Sequence, residues 1–151
     1  MIFRVIDKNR EDFMNMLLIA DPDEKIIKSY INKGDLIIME DKDKIIGICH
    51  FKPLDIINVE ITNIAIDETL HNKGYGSTIL KYTINFIKNK GYKSIFIGTG
   101  NSSISNIAFY QKNGFDLFDL WINYFLYKYD DKIYENGIQC KHMLRFKLEL
   151  M

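Results

Sequence analysis

The chain has 151 residues, the length of one domain, which is long enough to bury a sizeable core. Hydrophobic residues make up 47% and charged residues 26%, a composition that argues against a disordered chain. Lys plus Arg and Asp plus Glu both total 20, so the formal net charge of zero gives no sign of a nucleic-acid or anionic-membrane partner.

Hydrophobic spacing in the first part of the chain predicts strands and helices in turn. Pro22 separates the two helical patterns, and Gly34 closes the second. An Asp-Lys-Asp turn joins the two arms of a hairpin. The predicted elements are a strand at 2–6, helices at 11–20 and 23–34, the hairpin arms DLIIMED and KIIGICHFKPL, and a long strand at 56–66.

The second part of the chain predicts a long helix from about Ser77 to Asn89, which Gly91 ends. Its inner side carries Ile79, Leu80, Ile84 and Ile87. The strand YKSIFIG, the helix SISNIAFYQKN, the strand GFDLF and the half-buried strand CKHMLRFKLEL follow. The order predicts a single α/β or α+β domain over residues 1–151, built around one mixed sheet.

The segment HNKGYGS at 71–77 interrupts this pattern between a strand and a helix. Gly74 and Gly76 permit positive φ and leave the main chain open to a ligand. The first N–H groups of the helix carry the positive end of its dipole, so the segment suits a phosphate. Lys73 and a protonated His71 add charge at the rim. The alternative is a tight turn in which glycine serves geometry alone, and the glycines by themselves leave both open.

Two known phosphate-binding patterns do not match this segment. The Walker pattern GxxxxGK[ST] is absent because the lysine precedes the glycines, and Ile79 stands where the dinucleotide pattern GxGxxG has its third glycine. The residues alone therefore indicate a phosphate-bearing ligand without identifying it.

The stretch NIAIDETLHNKGYGSTIL resembles the central motif [RQ]xxGx[GA] of the GNAT superfamily of acyl-CoA-dependent N-acyltransferases. His71 takes the place of Arg or Gln, and Gly74 and Gly76 take the glycine places. Residues 106–115, NIAFYQKNGF, resemble the second signature of that family, a helix ending in Tyr followed by Gly-Phe. The resemblance implies an acetyl-CoA-dependent N-acetyltransferase that needs no metal, with a mostly antiparallel sheet flanked by helices.

In this family a bulge splays the central strand, here at Ile64–Ile66, away from the strand at 95–98. The resemblance implies that pantetheine pairs with that strand and that the pyrophosphate rests on the amides of residues 72–77. Ser103 replaces the Asn usual at its position, with Asn101 and Asn106 as nearby substitutes. The implied cofactor-binding residues are Ile64, Ala65, Ile66, His71, Asn72, Lys73, Gly74, Tyr75, Gly76, Ser77, Asn101, Ser103 and Asn106.

The implied chemistry is direct attack of an amine on a thioester through a tetrahedral oxyanion. An alkylamine has a pKa near ~10, so a base must remove a proton at neutral pH. Glu60 is the candidate, because EITNIAI matches the pattern some histone-acetylating members use, and we expect Glu60 to share a face with Thr62 and Ile64. A solvated strand glutamate is the alternative. A backbone N–H near Ile66 would stabilise the oxyanion.

Tyr110 matches the family position that protonates the departing CoA thiolate. At roughly 100° per residue it lies about 40° from Asn106 on its helix, and Ile104, Ile107 and Ala108 are expected on the core side. A phenol with a pKa near ~10 suits this transfer. The alternative is a half-buried tyrosine whose hydroxyl serves structure only.

The remaining polar and aromatic residues favour structural roles. His50 and His142 lie on strand patterns, and no His/Cys/Asp/Glu cluster suggests a metal. The aromatic run WINYFLYKY at 121–129 favours core packing over an acceptor pocket or a homodimer interface. Cys49 and Cys140 show no metal or CxxC spacing and, without a signal peptide, predict reduced thiols in a cytoplasmic protein.

Two other classes of protein remain open: a non-catalytic acyl-CoA-binding sensor, and a nucleotide-binding module that uses the same glycines. Glu60 together with Tyr110 favours an enzyme over both. The acceptor is a small-molecule or peptide amine whose identity the sequence does not contain. No apolar run reaches the roughly 18 residues that span a bilayer, so no membrane partner is expected.

Overall fold

The structure, a computed structural model, describes residues 1–151. The chain forms two compact units, Met1–Lys93 and Ser94–Met151. The first holds β1 (Ile2–Val5), a 3-10 turn (Arg10–Phe13), α1 (Met14–Ala20), α2 (Glu24–Tyr30), β2 (Asp35–Asp41), β3 (Lys44–Pro53), β4 (Asn58–Ile66), a 3-10 turn (Glu68–Leu70) and α3 (Tyr75–Asn89). The second holds β5 (Ser94–Gly100), α4 (Ile104–Lys112), β6 (Asp116–Trp121), α5 (Tyr124–Lys128), β7 (Ile133–Glu135), β8 (Ile138–Cys140) and β9 (Met143–Glu149).

The first unit is an antiparallel sheet with helices on both faces. Its strands follow the order β1-β2-β3-β4. One face packs on α1 and α2 through a buried cluster of Ile6, Met14, Leu17, Ile27, Tyr30, Ile31, Leu36, Ile38, Ile48 and Ala65. The other face packs on α3, where Phe51 meets Phe86 edge-on. Strand β2 is apolar at successive positions because helices cover both of its faces.

Most predicted boundaries agree with the observed elements to within a few residues. The predicted helix at 11–20 divides into a 3-10 turn and α1, and α3 begins two residues earlier than expected, at Tyr75. Within α3, Ile79, Leu80 and Ile87 are buried as predicted, whereas Thr83 takes the buried place expected for Ile84. No helix of the structure is both long and apolar enough to cross a bilayer.

Arg10 ties together segments of the first unit that are distant in sequence. Its guanidinium donates to the carbonyl oxygens of Ile6 at 2.9 Å, Ile31 at 2.9 Å, Lys33 at 3.1 Å and Gly34 at 2.9 Å. Only 8% of the residue is exposed. These carbonyls follow β1 and α2, where no helix or strand partner is available, so the arginine supplies the donors that buried backbone requires.

Gly34 ends the turn between α2 and β2 rather than a helix, since α2 stops at Tyr30. Its φ is +58°, and a Cβ at this position would come within 2.0 Å of the carbonyl oxygen of Phe51. The glycine is therefore required for the close approach of the turn to β3.

The second unit is a three-stranded antiparallel sheet in the order β5-β9-β6, with α4 on one face. Arg145 of β9 is buried, and its guanidinium lies 4.3 Å from the ring centroid of Trp121. All six residues of β6 are exposed, because β6 is the edge strand of this sheet.

The prediction that the aromatic run 121–129 packs in the core is wrong. Ile122 is 58% exposed and Tyr127 is 83% exposed. Trp121 ends the edge strand β6, and Tyr124–Lys128 form the short helix α5, in which no residue is buried. The aromatic side chains of this run are covered only in part, through ring contacts such as that between Trp121 and Tyr124.

Replacing Arg10 tests its role in joining these segments. In Arg10→Met the carbonyls of Ile6, Ile31 and Gly34 lose this donor, whereas that of Lys33 keeps its bond from His50, so we expect the free energy of unfolding to fall by about 3 kcal/mol. Arg4→Met is the matched control, because Arg4 is exposed and pairs with Glu40 at the surface, and it should cost less than about 1 kcal/mol. Urea titrations of both variants measure the two losses. Equal losses would contradict the role assigned to Arg10.

Candidate active site

The segment between β4 and α3 has the backbone of an anion-binding loop. Asn72 and Gly74 both adopt left-handed conformations, with φ of +63° and +85°. The first intrahelical bond runs from the Thr78 N–H to the carbonyl of Gly74, at 3.2 Å. The amides of Tyr75 and Gly76 belong to the first turn, where amides have no intrahelical acceptor. That turn contains no acidic residue, so its positive end is not neutralised locally.

The same loop is held in place by its own side chains. The Asp67 carboxylate accepts hydrogen bonds from the Thr69 amide at 2.9 Å and the Thr69 hydroxyl at 2.7 Å, and these bonds lower the pKa of Asp67. His71 Nε2 donates to the carbonyl of Ile66 at 2.8 Å. His71 therefore anchors the loop to the end of β4, and both His71 and Lys73 are exposed at the rim.

Strand β4 carries one residue more than its partner at its centre. Asn63 pairs with His50, whereas Ile61 pairs with Phe51, the next residue of β3. Thr62 therefore has no partner on β3, which defines a β-bulge.

The bulge decides the face on which the candidate base lies. Glu60 pairs with Lys52, which shares a face with His50 and so lies on the side of α1 and α2. Ile64 pairs with Cys49, whose thiol contacts Thr83 of α3 on the opposite side. The expectation that Glu60 shares a face with Ile64 is therefore wrong, because the extra residue between them reverses the alternation.

The residues expected to carry pantetheine, Ile64–Ile66, continue β4 regularly along β3, with Ile66 opposite Gly47. On this edge the irregularity lies at Thr62, before the segment where the sequence placed it. Ala65 and Ile66 are buried and Ile64 is half-buried. Their backbone is thus held by β3 on one side.

A buried histidine lies directly beside the bulge. His50 is fully buried; its Nε2 donates to the carbonyl of Lys33 at 2.6 Å, and its Nδ1 meets the hydroxyl of Thr62. Burial, together with the nearby positive charges of Arg10 and Lys52, lowers the pKa of His50 to about 4. Hydrogen bonding thus occupies both ring nitrogens, in line with the structural role predicted for this residue.

The residue after the bulge is also buried and bonded. The Asn63 side-chain amide donates to the carbonyl of Leu17 at 2.9 Å and to the phenol oxygen of Tyr30 at 3.0 Å. Tyr30 in turn donates to Asp21 at 3.4 Å, and burial raises the pKa of its phenol. Side chains on α2 and in the α1–α2 connection thus reach β4. The sequence analysis assigned no role to Asn63.

In the second unit Tyr110 is 4% exposed and lies in an aromatic cluster. Its ring centroid is 5.8 Å from that of Phe146 and 6.1 Å from that of Phe115. The expected core side of α4 is wrong, since Ile104 is 51% exposed and Ala108 is exposed as well. Tyr110 itself is the buried residue of α4 because β9 packs beneath it.

Asn101 is engaged by residues of β8 and of the β8–β9 connection, and Ser103 by the β7–β8 hairpin, which the sequence analysis missed. Asn101 Oδ1 accepts from the amides of Lys141 and His142 at 2.8 and 2.9 Å, and its Nδ2 donates to the carbonyl of Gln139 at 3.1 Å. Three bonds thus fasten the β8–β9 connection to the end of β5.

Ser103 is engaged by the β7–β8 hairpin in the same way. Its hydroxyl donates to Glu135 Oε1 at 2.7 Å, and the Asn136 side chain donates to the carbonyl of Ser102 at 2.9 Å. Asn106 is exposed, and its amide lies 3.4 Å from the hydroxyl of Thr99. Of the three polar residues expected near the cofactor, Asn106 has the least engaged side chain.

The other titratable groups have structural surroundings. His142 Nδ1 accepts a hydrogen bond from the amide of Asn123 at 2.9 Å. Cys49 and Cys140 are buried free thiols, and burial raises the pKa of Cys49 to about 12. No group of three or more His, Cys, Asp or Glu side chains is arranged to hold a metal ion.

Comparison with known proteins gives the class to which this fold and loop belong. The model of the acetyltransferase (GNAT) family matches residues 3–115. The chain is 37% identical to the Bacillus subtilis (strain 168) protein named uncharacterized N-acetyltransferase YvbK over 144 residues, 95% of this chain and 93% of that protein. The chain therefore belongs to the GNAT family of acetyltransferases.

Two solved structures show the same fold. A GNAT family acetyltransferase from Elizabethkingia anophelis with acetyl-CoA bound superimposes with a TM-score of 0.95 at 38% identity, covering 99% of this chain and 97% of that one. A Bacillus subtilis acetyltransferase in complex with CoA gives 0.92 at 36% identity, covering 99% and 98%. The predicted fold class, an α/β fold with a mostly antiparallel sheet flanked by helices, is confirmed.

The buried His50 predicts how stability depends on pH. Between pH 6.5 and about 4 the unfolded chain takes up a proton that the folded chain does not, so stability falls as the pH falls through this window. The full shift corresponds to about 3 kcal/mol. Chemical denaturation from pH 7 to pH 4 should therefore show a shallower loss for His50→Gln than for the wild type. Identical pH dependence in the two proteins would refute the assigned environment.

Proposed function

We propose that this protein transfers an acetyl group from acetyl-CoA to a primary amine of a small molecule or peptide, by direct attack in a ternary complex. One observation carries the proposal: the family's glycine motif coincides with the left-handed turn at Asn72 and Gly74 that opens α3. Proteins of the same family at similar identity hold acetyl-CoA or CoA. Acetyl-CoA is thus the proposed co-substrate, and no metal takes part in the proposed chemistry.

We assign the pyrophosphate to the amides of residues 72–77, with Lys73 as the nearby cation. Gly76 has no Cβ to obstruct an anion in the first turn of α3. The backbone of Ile64–Ile66 is assigned to the pantetheine arm. Asn106 is the better candidate for a further polar contact than Asn101 or Ser103, whose side chains hold the β7–β8 segment.

We assign Glu60 as the general base and Tyr110 as the general acid. An ammonium group must lose a proton before it can attack, and a carboxylate on β4 can accept it directly or through water. The phenol of Tyr110 can return a proton to a departing thiolate, since its buried aromatic surroundings exclude competing water. A backbone N–H near Ile66 is assigned to the oxyanion.

We also propose that both compact units form one catalytic domain, because the family model runs across residues 3–115 and so across the boundary at Lys93. The two buried free thiols support a reducing, cytoplasmic location. A homodimer stays a prediction, with the exposed apolar residues of β6 and α5 as its candidate surface.

The loop at α3 makes a testable prediction about the ligand. Acetyl-CoA should raise the melting temperature more than ATP or NAD at equal concentration, because only a ligand that fits the folded site stabilises it. Gly76→Val should abolish this rise by placing a branched side chain in the path of the phosphate. Lys81→Val is the control, since it places the same side chain on an exposed position one turn further along α3. Equal stabilisation by ATP would favour the nucleotide-binding module.

The assignment of Glu60 predicts a large kinetic effect. Glu60→Gln keeps the size and removes the carboxylate, so turnover at neutral pH should fall about 10²-fold or more. The loss should shrink at high pH, where the amine is already neutral. Glu149→Gln, on an exposed position of β9, should leave turnover unchanged. Thiol release across an amine panel measures both. Wild-type protein that binds acetyl-CoA but acetylates no amine would instead be a sensor.

A further inference from the structure

The bulge at Thr62 couples two parts of β4 that the proposed reaction uses. Side chains alternate along a strand, so removal of the extra residue would turn either the segment before it or the segment after it to the opposite face. Glu60 lies before Thr62, and the backbone assigned to pantetheine lies after it. The position of Glu60 relative to that backbone therefore depends on the bulge being kept.

Hydrogen bonds to the buried His50 hold the bulge at this position. The Thr62 hydroxyl lies against His50 Nδ1 and 3.1 Å from the His50 carbonyl oxygen. A carbonyl only accepts, so the 2.6 Å contact between His50 Nε2 and Lys33 places the ring proton on Nε2 and leaves Nδ1 as an acceptor for Thr62. The imidazole thus joins the unpaired residue of β4 to the turn before β2.

The side chain of the next residue, Asn63, forms hydrogen bonds on the same face of β4, the face covered by α1 and α2. Its amide reaches the carbonyl of Leu17 on α1 and the phenol of Tyr30 on α2. A shift of register would carry this amide to the face of α3 and leave His50 buried without the hydroxyl it meets. Buried polar groups without partners are costly, so these contacts select one register of β4.

We infer that Thr62 and His50 are positioning residues for the acetyl transfer, because their contact keeps the bulge that orients Glu60. The inference rests on the proposed function, since it deepens the role assigned to Glu60. Neither side chain is assigned a proton-transfer step. Catalysis by an oriented base falls steeply when the base is displaced by even about 1 Å, so a loosened bulge should be visible in turnover before it is visible in stability.

The first test removes the hydroxyl and keeps the shape. Thr62→Val should lower kcat about 10-fold to 100-fold, with little change in melting temperature or in KM for acetyl-CoA. Thr62→Ser should restore kcat, because serine keeps the hydroxyl. Thr83→Val is the matched control: Thr83 is a fully buried threonine on α3, and its loss of a hydroxyl should leave kcat unchanged.

His50→Leu gives an independent route to the same loosening, because leucine offers Thr62 no acceptor while the Lys33 carbonyl keeps its bond from Arg10. We expect it to lower kcat as Thr62→Val does. If both variants fold and keep wild-type kcat, the inference is overturned.

A double-mutant cycle separates positioning from a general packing effect. If Thr62 acts through Glu60, Thr62→Val should cause no further loss of kcat in a Glu60→Gln background. Additive losses would overturn the inference, as would full activity of Glu60→Gln in an active wild type. Failure of the proposed function gives a different result, since the wild type itself would then acetylate no amine.

Discussion

One extra residue in β4 is the constraint on which the candidate site depends. Thr62 has no partner on β3, so the strand reverses its alternation there, and Glu60 lies on the side of α1 and α2. The residues that follow run regularly to Ile66, from which the loop to α3 begins. In a strand of uniform register Glu60 would share a face with Ile64, so the extra residue sets the face on which the carboxylate lies.

The polar groups beneath this strand explain why the first unit keeps such a register. Arg10 supplies donors to four carbonyls that follow β1 and α2, and His50 and Asn63 connect β4 to the same region. Each buried group needs its partner, so the ends of α1 and α2 and the register of β4 are specified together. An apolar core of the same size would leave the register less strictly determined.

Local patterns predicted the elements well and the burial of single residues less well. Apolar spacing placed α3 and the β2–β3 hairpin, because both are long and periodic. The β7–β8 hairpin was missed although its Asn136-Gly137 turn is a strong hairpin signal, since its arms are only three residues each. The aromatic run 121–129 was misjudged because composition does not show whether a strand lies at the edge of a sheet.

By itself the sequence determined the family, the order of the elements up to β6 and the loop of residues 71–77, because glycine placement and hydrophobic period are local properties of the chain. Only the tertiary structure decided that the bulge falls at Thr62, that His71 bonds to Ile66, and that Glu135 engages Ser103. Each of these depends on which distant segment supplies the partner. Strand register and hydrogen-bond satisfaction are set by long-range packing, and no short stretch of residues contains them.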